Sequence, residues 1–523
     1  MGRYRNRPVP AAYFVDGYQR SRAFIVTERP GAAACDALWR LAWEQGVTTV
    51  VLIGVLQGME EWFLPKLGRV RSFRDLSVRG HTERALVGCV VRETIVSKLK
   101  VLKLVGMMIM FVPYQERLLK GRSRRCGERR LQLWQYTDWP ELGMPDSPLQ
   151  LLHFTRRIIL KHKQELGVFS YWQHAIGQCP HLLTTLAEYA FLHDCLLERV
   201  TAGETLVPRD GARRYLEQLQ SSCGTGFPHS TAEKQYNSAT DLKVRHFTVS
   251  SGNRPCNEGK RRGSSFIQME DSRVRLAPTF GLDGTDYVNA SWLPGYRLAK
   301  EYILTQHPPP STVLSFWQMV WEHRVTTVAC LSPEECGVFW PLAQPIYCPQ
   351  FIIRYVSESA DCSATYKTSW IVRSFRMDSA EGAGALTVRL VSLPMWPEEA
   401  SIDSAMEGVQ AVQEVHGERQ TPLLVVDRYG GTEGASFCLL GTALRQLQHE
   451  ACFDVFTYAK LYHQRRPGIW KSMREYLYLY HAVSAWLATR GNGVLYRGAS
   501  CTSLCESRTP TEATRDAAHG VMV

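Results

Sequence analysis

The chain is short of the features that most quickly assign a function. Its 15 cysteines include no C-x-x-C pair and follow no regular spacing. That argues against zinc knuckles, dithiol redox motifs and a disulfide framework. Cys195, Cys330 and Cys438 lie inside apolar stretches, the setting of reduced, buried thiols, so a reducing compartment is expected. Met1-Gly2-Arg3-Tyr4-Arg5 leads into no signal-peptide core, and Asn6 stands where N-myristoylation wants Ser or Thr. The longest apolar run, Leu104–Val112, has nine residues and is too short to span a bilayer; it predicts a buried strand or helix. No nucleic-acid motif occurs. Acids are in deficit, 50 against 61 Lys and Arg, and the net charge of +11 is spread along the chain. Such a balance suits acidic or phosphorylated partners or a membrane surface, and equally plain solubility.

What is present is a large apolar fraction. Hydrophobic residues make up 45% of the 523, with 14 Trp, enough for roughly two or three globular domains. The chain also repeats itself once. Gly17-Tyr18, Phe24–Thr27, Trp39, Trp43-Glu44 and Val47–Val50 recur 278 residues later as Gly295-Tyr296, Tyr302–Thr305, Trp317, Trp321-Glu322 and Val325–Val328. Val168–Tyr171, Pro180 and Glu188-Tyr189 recur 287 residues later as Val455–Tyr458, Pro467 and Glu475-Tyr476. A period this long predicts two homologous domains rather than a solenoid.

The copies are unequal. Trp396 to Val455 is 59 residues, whereas Trp139 to Val168 is 29, so the first half lacks 30 residues equivalent to about 423–452. Arg3 aligns with Arg262 at a shift of 259, which removes another 19 residues, the counterpart of Val274–Ser291. Trp43 to Trp139 is 96 residues against 75 from Trp321 to Trp396, and the surplus is assigned to 54–118, a stretch without a partner. Tyr302–Thr305 and Val325–Leu331 read as buried strands flanking an amphipathic helix that carries Phe316, Trp317, Val320 and Trp321. Val455–Tyr462 and Met473–Leu487 read as helices. Mixed elements of this kind predict an α/β (α+β) fold, each domain a central twisted mixed sheet flanked by helices. The predicted layout is a first domain over 1–200, a linker over 201–240, a second domain over 241–490 and a disordered tail over 491–523. The basic run Arg122–Arg130 reads as a solvated loop.

One stretch points to chemistry. Leu423–Val426 enters Asp427-Arg428-Tyr429-Gly430-Gly431-Thr432-Glu433-Gly434, and a helical pattern follows from Ser436 to Leu447. A strand passing through a glycine turn into a helix N-terminus gathers unpaired N–H groups and the helix dipole at one point, an anion cradle. Asp427 and Glu433 oppose that use. A carboxylate about 4 Å from a phosphate costs on the order of 4 kcal/mol per charge pair at an effective dielectric of 20.

The repeated blocks resemble the tandem intracellular domains of receptor-type protein tyrosine phosphatases. In the first half the likeness rests on Gly2–Asn6, Tyr13–Tyr18 and Trp139-Pro140-Glu141-Leu142-Gly143-Met144-Pro145, similar to the family's phosphotyrosine loop and mobile W-P-D loop. In the second half it rests on Asp286–Ser291, Tyr302–Pro308 and Phe316–Trp321. Asp427 with Gly430-Gly431 and Phe437-Cys438 is most similar to the second domain of the gamma/zeta class and its insect relatives.

The resemblance implies a thiolate nucleophile in H-C-x-x-x-x-x-R, an Arg clamp on the phosphoryl group, a W-P-D acid and a water-positioning Gln. In the second half Val426, Asp427 and Glu433 stand at the His, Cys and Arg positions, Glu398 at the acid and Gly263 at the phosphotyrosine-stacking Tyr. Gly430 and Gly431 keep the loop's binding positions. In the first half Tyr4 keeps the phosphotyrosine-loop position, Glu141 replaces the acid and Thr184 the Gln. Its nucleophile loop is missing: His162–Gly167 runs straight into Val168. Cys179, beside Pro180 at the position of Arg466, is an ordinary thiol on this reading.

Deleting a central strand and its helix leaves an apolar gap. Single core truncations already cost about 2–5 kcal/mol against total stabilities of roughly 5–15 kcal/mol. The first half is therefore expected to be unstable by itself, and the clean edges of the gap point to a skipped exon or a faulty gene model. The expected function is a regulatory or scaffolding pseudophosphatase region with no cofactor and no metal. Its partners would be phosphotyrosine proteins or other phosphatase domains, including a second copy as a homodimer. The alternatives are phosphotyrosine hydrolysis in a complete version of the first domain, and phosphotyrosine-peptide binding. The expected location is the cytoplasm, at the cytosolic face of the plasma membrane through a receptor portion.

Overall fold

A computed structural model describes residues 12–16, 21–28, 31, 34–54, 63–98, 127–140, 144–145, 147–159, 177–179, 185–221, 230–241, 249–263, 266, 268–331, 336–342, 344–362, 369–382, 384–393, 402–490 and 521–522. They divide into two compact units, 1–197 with 498–523, and 198–497. Each unit is built on a mixed sheet flanked by helices.

The first unit contains β1 (Ala12–Val15), β2 (Phe24–Thr27), β3 (Thr49–Ile53), β4 (Val70–Phe73), β5 (Leu76–Leu86), β6 (Cys89–Lys98) and β7 (Glu128–Tyr136). Its last strand is β19 (Val521–Met522), and the spatial order is β1-β2-β19-β3-β7-β6-β5-β4. The helix α1 (Cys35–Glu44) buries Cys35, Leu38, Trp39 and Ala42, one face at helical spacing, against this sheet. The Trp39 indole donates to the Phe63 carbonyl at 3.2 Å and stacks on the Phe63 ring at 5.3 Å.

The second unit carries β9 (Arg273–Arg275), β10 (Tyr287–Leu293), β11 (Tyr302–Gln306), β12 (Thr327–Cys330), β13 (Ile346–Tyr347), β14 (Phe351–Cys362), β15 (Ser369–Ser379), β16 (Ala385–Ser392) and β17 (Leu423–Asp427). Their order is β13-β14-β15-β16-β12-β17-β11-β10-β9. The strands β16, β12, β17 and β11 run parallel, and all five residues of β17 are buried. A continuous apolar run is what a parallel strand covered on both faces requires. The helix between β11 and β12 spans Val313–Glu322, and its Trp317 indole donates to the Phe339 carbonyl at 2.8 Å, as Trp39 does to Phe63.

Three predicted boundaries are corrected. The segment 54–118 is not without a partner. Phe63-Leu64-Pro65 corresponds to Phe339-Trp340-Pro341, and β4, β5 and β6 take the sheet places of β13, β14 and β15. The surplus lies further on, since 29 residues separate Lys98 from Glu128 and only five separate Ser379 from Ala385. The segment 201–240 is no linker. Its short strand β8 (Val207–Pro208) pairs with β18 (Cys452–Phe453), and its helices Ala212–Gln220 and Thr231–Thr240 bury Leu216, Leu219, Ala232 and Gln235 within the second unit. Gln235 is held there by Tyr215 at 2.9 Å and Tyr476 at 3.1 Å. The tail 491–523 is not wholly disordered, because Val521–Met522 forms β19.

Among the described residues, no helix is long and apolar enough to cross a membrane, and no group of three His, Cys, Asp or Glu could hold a metal ion.

Candidate functional site

The buried run of β17 delivers Asp427 to the carboxyl end of the parallel strands, where open α/β sheets place their ligands. The helix α8 (Thr432–Glu450, counting α2–α7 as Pro148–Ile159, Leu186–Ala202, Ala212–Gln220, Thr231–Thr240, Val313–Glu322 and Ile402–His416) starts five residues later. The turn between them needs glycine at two points. Gly430 has φ 63°, and a Cβ there would lie 2.7 Å from both the Arg466 guanidinium and the Gln306 amide nitrogen. At Gly434 a Cβ would collide with Leu304 and come within 2.9 Å of the Asp427 carboxylate.

Asp427, 1% exposed, turns its side chain into this loop. Oδ1 accepts from the Tyr429 amide at 2.8 Å and from the Gly430 amide; Oδ2 accepts from the Gly431 and Gly434 amides, each at 2.8 Å. The amides converge as in an anion cradle, and the anion they hold is the chain's own carboxylate. Burial raises the Asp427 pKa above the ordinary carboxylate value, while the Gly434, Gly431 and Gly430 amides and the Arg466 charge pull it back.

Arg466 props the same loop from beneath. It is fully buried; Nε donates to the Gly430 carbonyl, Nη1 to Ser291 at 3.1 Å and Nη2 to Asn289 at 3.0 Å. Asn289 in turn donates to Gln306 at 2.9 Å, and Gln306 accepts the Arg262 amide at 2.9 Å. Burial lowers the guanidinium pKa to about 10, with Asp427 opposing the shift. Its nitrogens are thus committed to holding the loop.

Glu433 lies half-buried in the first turn of α8, where the dipole favours a carboxylate. Gly263 is exposed at φ 111°, and the nearest atom to a Cβ there would be the Tyr429 ring at 3.8 Å. The loop's own tyrosine, 46% exposed with the Arg428 guanidinium 5.4 Å from its centroid, lies beside the position that lacks one. Lys471 places its ammonium 4.8 Å from the Phe266 centroid, and Phe266 packs against Gly431. Val426, at the histidine position, is a core residue of β17.

The structure therefore gathers Asp427, Gly430, Gly431, Gly434 and Glu433 at one loop. Arg466 and Lys471 were not foreseen in that neighbourhood. The signal existed for both: Arg466 is the partner of Cys179 and Lys471 the partner of Thr184 at the 287-residue shift. Tyr4, Glu141, Thr184 and Glu398 lie outside the described residues, as do 160–170 and 99–126. In the first unit Cys179 is buried among Val15, Tyr13, Phe24 and Val26.

The protein-tyrosine phosphatase family profile matches residues 9–165 and again 257–485. The chain belongs to the protein-tyrosine phosphatase family. It is 32% identical over 518 residues to mosPTP-1 of Culex quinquefasciatus, covering 90% of this chain and 32% of that protein. It is 30% identical to tyrosine-protein phosphatase 99A of Drosophila melanogaster (92% and 38%) and 29% identical to receptor-type tyrosine-protein phosphatase zeta of Rattus norvegicus (92% and 22%). The chain thus spans about a third of the length of the insect relatives and less of the rat protein. The two matched regions and the two mixed sheets together give tandem phosphatase-like domains.

Proposed function

We propose that this chain is a pseudophosphatase region: tandem tyrosine-phosphatase-like domains that do not hydrolyse phosphotyrosine and act as a regulatory or scaffolding element. The observation that carries this reading is the occupied cradle. The amides of Tyr429, Gly430, Gly431 and Gly434 are spent on the Asp427 carboxylate, so an incoming phosphate finds its donors taken and a buried acid in its place. Glu433 adds a second acid where the family's clamp supplies a cation, at a cost of about 4 kcal/mol per pair at 4 Å. Asp427 is also a poor candidate for an acyl-phosphate nucleophile. The nearby Arg466 is committed to Gly430, Ser291 and Asn289 rather than turned toward a substrate.

Regulation would run through contact with other phosphatase domains, a second copy included, at the cytosolic face of the plasma membrane when joined to a receptor portion. An aryl-phosphate assay on the purified chain tests the central claim. No turnover is expected; thiol-dependent turnover lost on alkylation would overturn it. Titration with a phosphotyrosine peptide is expected to show no preference over its unphosphorylated form. A clear preference would instead support the phosphopeptide-binding reading.

A further inference from the structure

We propose that Val521–Met522 is the surrogate central strand of the first domain, supplied by the same chain and holding its sheet together in place of the strand that domain lacks. This goes beyond the pseudophosphatase reading and does not depend on it.

Register carries the argument. In the second unit Leu423 of β17 stands opposite Tyr302 of β11 and Thr327 of β12, in parallel on both sides, and Leu424 stands opposite Ile303 and Val328. The 278-residue repeat converts those partners into Phe24, Thr49, Ile25 and Val50. In the first unit Val521 stands opposite Phe24 and Thr49, and Met522 opposite Ile25 and Val50, again in parallel on both sides. Val521 and Met522 thus occupy the places of Leu423 and Leu424 without a slip of one residue. A slip would turn each side chain to the opposite face of the sheet.

On the face packed against α1, burial is close to that of the second unit. Beside Met522, Ile25 and Val50 are 2% and 4% exposed, close to their fully buried counterparts Ile303 and Val328. At the far end of the slot, beyond two residues of filler, Ile53 is 50% exposed, whereas its counterpart Leu331 is 1% exposed and donates its amide to Val426. Beside Val521, Phe24 and Thr49 are half-buried, whereas their counterparts Tyr302 and Thr327 are buried. Among the described strands, β2 and β3 are joined through β19, so in this order the β1-β2 pair attaches to the rest of the sheet by way of it. The local sequence fits the role. A Ser- and Thr-containing stretch gives way at Gly520-Val521-Met522-Val523 to apolar residues suited to a buried strand. Thirty residues separate Arg490 from Val521, and a chain of that length spans at most on the order of 100 Å.

Hydrogen exchange on the full chain tests this. In V521P/M522P both ladder amides are removed. Peptides covering Phe24–Thr27 and Thr49–Ile53 are expected to exchange at least tenfold faster, with Leu423–Asp427 unchanged as an internal control. The variant V521L/M522L, which copies Leu423-Leu424, is expected to keep wild-type protection. Unchanged protection in the proline variant would overturn the proposal, as would equal loss in the leucine variant. Protection independent of protein concentration over a hundredfold dilution supports donation within one chain, and protection lost on dilution would overturn that assignment.

Discussion

Oδ2 of Asp427 accepts the amide of Gly434 at 2.8 Å, tying the end of the central strand to the first turn of the helix that follows. With the amides of Tyr429, Gly430 and Gly431 on the same carboxylate, the turn is closed by its own side chain. Arg466 fastens the Gly430 carbonyl from the other side, so a buried acid and a buried base hold one loop.

Removing either of these charges leaves the other buried without its complement. Asp427→Asn and Arg466→Met are each expected to cost on the order of 3–5 kcal/mol. The double variant should lose less than the sum, by about 1 kcal/mol or more. Exchange of the most protected amides in β11, β12 and β17 measures all three. Strict additivity would mean that the two charges do not sense each other.

Emptying the cradle should restore its affinity for anions. The variant D427C/E433R frees the loop amides and supplies a guanidinium, and it is expected to bind inorganic phosphate or vanadate with a dissociation constant on the order of millimolar. Wild type should show no binding in the same calorimetric titration. Failure of the variant would show that the loop no longer has the shape of an oxyanion site.

Acid should weaken the second domain through three buried histidines. Burial lowers His307, His416 and His463 from 6.5 to about 4. Above pH 6.5 both folded and unfolded chains carry them neutral. Between 6.5 and about 4 the unfolded chain takes up protons that the folded one refuses, so stability falls by up to about 1.4 kcal/mol per pH unit for each. Asp427 works in the opposite sense. Its raised value gives a contribution complete below 3.8 and lost as pH rises through the folded pKa. Urea midpoints of the second domain at pH 7, 6 and 5 should therefore decline, and His463→Gln should flatten the decline by about a third.

Ala451 ends α8 at φ 54° and is exposed, its amide bonded to the Leu447 carbonyl at 3.1 Å. A left-handed residue other than glycine costs about 1–2 kcal/mol. Ala451→Gly is expected to stabilise the second domain by about 1 kcal/mol, read as a rise in its urea midpoint.

Residue patterns carried the repeat, the strands at Tyr302–Thr305 and Leu423–Val426, each one residue longer in the structure, and the glycine turn, because periodicity and turn chemistry are local. The helices at 212–220 and 231–240 were hidden by polar composition. The spacing of Ala212, Leu216 and Leu219 was the available clue. The β5–β6 hairpin was hidden because its residues have drifted from those of β14–β15 while the pairing pattern stayed. The cradle's state was half visible. Asp427 and Glu433 announced the wrong charge, but it is the fold that brings the Arg466 side chain, 39 residues away in sequence, under the loop. At the 287-residue shift the first half carries Cys179 in place of Arg466, and that thiol is buried among apolar neighbours. A two-residue strand such as Val521–Met522 has no signature of its own, since its position is dictated by neighbours hundreds of residues away.

A carboxylate at the heart of the loop also removes a vulnerability. A low-pKa thiolate in an electropositive, accessible site is the group that peroxide converts to sulfenic acid. Asp427 has no such chemistry. The nearby Cys438 is fully buried, with its thiol held protonated by burial and by the charge of Asp427. An oxidative burst that silences thiol-dependent enzymes would find nothing to react with at this loop.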